Sequence, residues 1–148
     1  MVSTSTLLSD TILFVRNTLR TNVTDPLLST RPSTEKWVMT SYPRRAVSYP
    51  NITVKGVNLS DVPLGQQSEQ RRVEFEIEVR IWARNEKEKN NLFDSVYTHM
   101  RTNQFTGAGT SYNANLYDFD LLSAVEVDEE GEQGIKSRVC MYKYNFIT

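Results

Sequence analysis

The chain has 148 residues, 39% of them hydrophobic and 24% charged, enough for one domain spanning 1–148 with a core of its own. Seventeen basic residues against eighteen acidic ones give a formal charge of −1, which excludes the basic footprint of a tight nucleic-acid binder. The single cysteine, Cys140, excludes an internal disulfide or a Cys-rich metal site, and no run approaches the ~20 apolar residues of a membrane span.

Leu8, Ile12, Val15 and Leu19 are spaced four, three and four apart, which predicts an amphipathic helix over residues 5–21. Ser3, Thr4 or Ser5 supplies its cap, and Asp25-Pro26 stops it, because the residue before proline avoids helical geometry. The Ile12-Leu13-Phe14-Val15 run is too short and too poorly flanked for a secretory leader, so a cytoplasmic setting is expected. Residues 27–36 read as a polar linker. Short extended runs follow at Lys36–Thr40 and Arg45–Tyr49, then a third at Ile52–Val57 with a bulge or twist expected around Gly56. Residues 58–70 carry turn and polar residues and read as a long mobile loop.

From Arg71 to Ala83 the chain alternates charged and apolar residues. A strand's side chains point to opposite faces, so Val73, Phe75, Ile77, Val79 and Ile81 share one face, and Glu74, Glu76, Glu78, Arg80 and Trp82 the other. Asn85 followed by Glu88 has capping-box spacing, and Leu92, Phe93, Val96, Tyr97 and Met100 form one stripe of a helix over 86–103. Residues 102–115, which include Gly107-Ala108-Gly109, read as a second mobile loop. The chain closes in a hairpin: one arm over Leu121–Val127, a turn over Asp128–Gly134, and the other arm over Ile135–Ile147. The fold class is therefore α+β: a mostly antiparallel sheet of four or five strands with two helices packed on one face and a C-terminal β-hairpin.

Catalytic chemistry finds no foothold. His99 is the one histidine and stands away from Cys140, no nucleophile motif surrounds any serine, and the glycines of 107–109 follow a helix rather than a strand. The row Glu74, Glu76, Glu78 is straight, whereas metal ligands converge. Neither an enzyme, a cofactor nor a metal is expected. The aromatic residues Trp37, Tyr42, Tyr49, Trp82, Tyr112 and Tyr117 fall near strand ends and loops, where they serve either the core or an interface. The charged strand face, with Arg71, Arg72, Glu74, Glu76, Glu78, Arg80 and Trp82, is suited to completion by a neighbouring subunit.

The N-terminal helix, the Ser41-Tyr42-Pro43…Tyr49-Pro50-Asn51-Ile52-Thr53-Val54 passage, the long loop, and Val73–Ala83 leading into a helix with Leu92-Phe93-Asp94 together resemble the tail-terminator or tail-completion proteins of long-tailed phages and related viruses. The likeness is one of order, length and pattern over residues 5–147. It implies a homo-oligomeric ring, usually of six subunits, assembled in the host cytoplasm and resident in the virion. Such a ring caps the tail tube, ends its elongation and presents a surface to the head-completion or connector protein, while DNA passes through without specific binding. On that resemblance the loops 58–70 and 102–115 order on docking, with Leu64, Gln66, Gln67, Phe105 and Tyr112 as tail or neck contacts. The acid row then faces the lumen or pairs across a subunit boundary with Arg71, Arg72 or Arg80. The competing readings are a head-completion or neck adaptor on the portal side and a small monomeric binding domain.

Overall fold

The computed structural model describes residues 7–32, 36–40, 49–66, 71–103, 116–128 and 136–147. In chain order the elements are α1 (Leu7–Asn22), β1 (Val38–Met39), β2 (Asn51–Pro63), β3 (Arg71–Ala83), α2 (Glu86–Asn103), β4 (Leu116–Asp128) and β5 (Lys136–Ile147). The sheet order is β1-β2-β3-β5-β4. Only the two-residue β1 runs parallel to its neighbour, so the fold is α+β with a mostly antiparallel five-stranded sheet and a C-terminal hairpin.

Both helices lie on one face of the sheet, α1 over β1 and β2, α2 over β3 and β5. The apolar set of β3 is buried there as its alternation requires: Phe75, Ile77, Val79 and Ile81 are fully inaccessible. Ile52 and Val54 of β2 and Cys140 and Tyr142 of β5 extend that layer sideways. From above, Val15 and Leu19 of α1 and Leu92, Val96 and Met100 of α2 close it. Each large apolar side chain removed from water contributes about 1.5–3 kcal/mol before entropy is counted.

Several expectations shift. α1 ends at Asn22, one residue past the expected end and ahead of Asp25-Pro26 as expected, and Val23 continues the buried stripe. Of the two roles left open for Trp37, core or interface, it takes the core. The strand expected at Arg45–Tyr49 except Tyr49, which is a bend, the caps Ser3, Thr4 and Ser5, the turn over Asp128–Gly134 except Asp128, and nearly all of the 102–115 loop lie outside the described residues. Residues 58–63, read as loop, are strand: β2 continues to Pro63, which stands opposite Arg71. Only residues 64–66 of that expected loop are described as bends or turn.

The bulge expected near Gly56 falls at Val57, between Gly56 opposite Ile77 and Asn58 opposite Glu76. One extra residue resets the alternation, so that Asn58 and Ser60 join the charged face and Leu59 joins the helix side opposite Phe75. Leu59 is nonetheless 44% exposed. Thirteen strand residues reach about 43 Å, whereas α1 and α2 reach about 24 and 27 Å. The strands of the β2–β3 ribbon are thus longer than either helix; at its far end Phe75 and Val73 of β3 are buried while Leu59 of β2 stays exposed.

Two polar constructions anchor this frame. Asp25 and Arg31 form an ion pair at 2.7 Å, with side chains only 8% and 4% exposed. Arg31 also donates to the Pro50 carbonyl at 2.6 Å, and the Leu27 amide donates to Asp25 at 2.9 Å, so the segment after α1 is tied to the start of β2. On α2, Lys89 is fully buried on the apolar stripe, with its ammonium 2.7 Å from the Glu86 carboxylate.

Candidate functional site: the charged face of the sheet

With one face roofed by helices, the opposite face of β3 presents the residues singled out by the sequence. Register places them in lateral rows. Lys55, Glu78, Met141 and Ser123 share one row, and Thr53, Arg80, Val139 and Val125 the next. Asn51, Trp82 and Ser137 lie beyond these; Asn58, Glu76 and Lys143 lie on the other side. The β2–β3 half is thus charged and the β4–β5 half largely apolar, with Val139 and Met141 half-buried and Val125 55% exposed.

The acid row is largely neutralised within the chain. Lys143 Nζ stands 2.5 Å from Glu74 Oε1, and Arg72 Nη2 3.6 Å from Glu74 Oε2. Hydrogen bonding from Lys143 is the main reason the Glu74 carboxyl titrates below its ordinary value. Glu78 is buried and faces Lys55 Nζ at 3.2 Å. Glu76, half-buried between these pairs, takes part in no ion pair among the described residues. Four cations, Lys55, Arg72, Arg80 and Lys143, therefore offset three glutamates. A strongly negative wall is not what the strand builds.

Arg80 and Trp82 form a second unit. The Arg80 guanidinium carbon lies 4.3 Å from the indole centroid, a cation–π geometry, and Nη2 donates to Ser137 Oγ at 3.4 Å. Trp82 Nε1 donates to Thr53 Oγ1 at 3.3 Å. Both residues are half-buried. Beside them Asn51 is fully buried, and neither atom of its amide has a hydrogen-bond partner among the described residues.

The remaining candidates divide. Leu64, 47% exposed, and Gln66 sit at the far end of the β2–β3 ribbon, beyond Pro63. Gln67, Phe105 and Tyr112 lie outside the described residues, as does the side chain of Arg71. Tyr49 is half-buried. His99 is half-buried on α2, and burial holds its imidazole below the ordinary value. Cys140 is core, its thiol pushed up to about 12 by burial. Among the described residues no group of three or more His, Cys, Asp or Glu side chains converges on a metal position. No helix among them is long and apolar enough to cross a membrane.

Sequence reasoning missed Lys55, Lys143, Thr53 and Ser137, the partners that β2 and β5 bring to the charged row. Their signal was available only after strand pairing was known, since it lies in register rather than in spacing along the chain. No family model matches this chain, and no curated protein does.

Proposed function

We propose that this chain is a virion assembly protein of a long-tailed phage or related virus. Copies close into a ring, six being the number its resemblance implies, which caps the tail tube, ends elongation and offers a joining surface to the head connector. The observation that carries the reading is a sheet with one face roofed by helices and the other only partly covered. That second face carries placed charges, the Arg80–Trp82 stack and an apolar flank at Val125, Val139 and Met141. Aromatic and arginine anchors beside apolar surface are the composition of a protein interface. The same element order and length underlie the likeness to tail terminators. Where this face borders a channel, its balanced charge offers DNA no basic wall to be held by, which favours passage over retention.

The test is the solution mass of the purified protein by light scattering, with negative-stain images of the same peak. A ring of about six is expected; binding to isolated tail tubes then supports the terminator reading, and binding to portal-bearing heads alone would replace it with the neck adaptor. A monomer that binds neither tubes nor heads would overturn the assembly reading. Glu76→Lys probes the face directly, because Glu76 takes part in no ion pair among the described residues. The variant is expected to keep its melting temperature and to lose the ring or mis-set tail length. A charge reversal that leaves ring and tail length unchanged removes this face from the assembly contact.

A further inference from the structure

We draw no further inference here: the strongest candidate, the open cleft of about 340 Å³ between the segment after α1 and the first half of α2, with Thr24, Pro26, Lys87, Asn91 and Leu92 among its walls, carries nothing because nothing in the structure shows what covers it.

Discussion

At the scale of single residues, the Asp25–Arg31 pair shows how a segment with little apolar content is held. Its charges are almost wholly withdrawn from water, and the guanidinium also satisfies the Pro50 carbonyl. Asp25→Ala leaves that cation buried without its partner and is expected to cost about 3–5 kcal/mol, read as a shift in urea midpoint at unchanged slope. Two carboxyls link stability to pH. Glu74 is lowered chiefly by the Lys143 hydrogen bond; at Glu88 burial pushes upward, but the bonds from Arg84 outweigh it and the net shift is also downward. Both fold with values below the ordinary 4.5, so the unfolded chain takes up protons first as pH falls. Their stabilisation is complete above 4.5 and is lost as pH drops through the lower folded-state values. Urea midpoints measured down the acid limb are expected to fall less in a Lys143→Met variant, whose Glu74 has lost its main partner.

At the scale of elements, legibility followed the origin of the stabilisation. β3 and α2 were plain in the sequence because their alternation and 3.6-residue spacing answer to burial, which acts on each residue's own polarity. The capping box was half right. Asn85 Oδ1 accepts from the Glu88 amide at 2.9 Å, but the Glu88 carboxylate turns to the backbone and guanidinium of Arg84 instead of closing the reciprocal bond. Asn85→Ala is therefore expected to cost about 1 kcal/mol, with Asn85→Asp retaining most of it, measured by thermal unfolding. The far half of β2 was not legible, for Asn58, Ser60, Asp61 and Pro63 carry no strand signature. Backbone pairing with β3 imposes extension on them, a long-range decision that propensity cannot report. Lys89 was missed for the opposite reason: its place three before Leu92 and seven before Val96 sets it on the buried stripe, where a lysine is not looked for.

At the scale of the whole molecule, register is fixed by burial: Cys140 and Tyr142 of β5 share the buried face, and a one-residue slip of the C-terminal hairpin would lose it. The sheet order carries a further consequence, for the way the chain acquires its shape. β2–β3 and β4–β5 are each joined by a short connection, whereas β3 meets β5 across α2 and β4, far along the chain. The protein is two local ribbons that meet along one seam, and α2, packed on β3 and β5, is the clasp over it. Hairpins form in microseconds; a distant seam must first meet the entropy of closing the intervening chain. Val96→Ala, at the clasp, is accordingly expected to slow refolding in stopped-flow measurements, while Leu59→Ala, at an exposed position of β2 away from the seam, leaves the refolding rate unchanged.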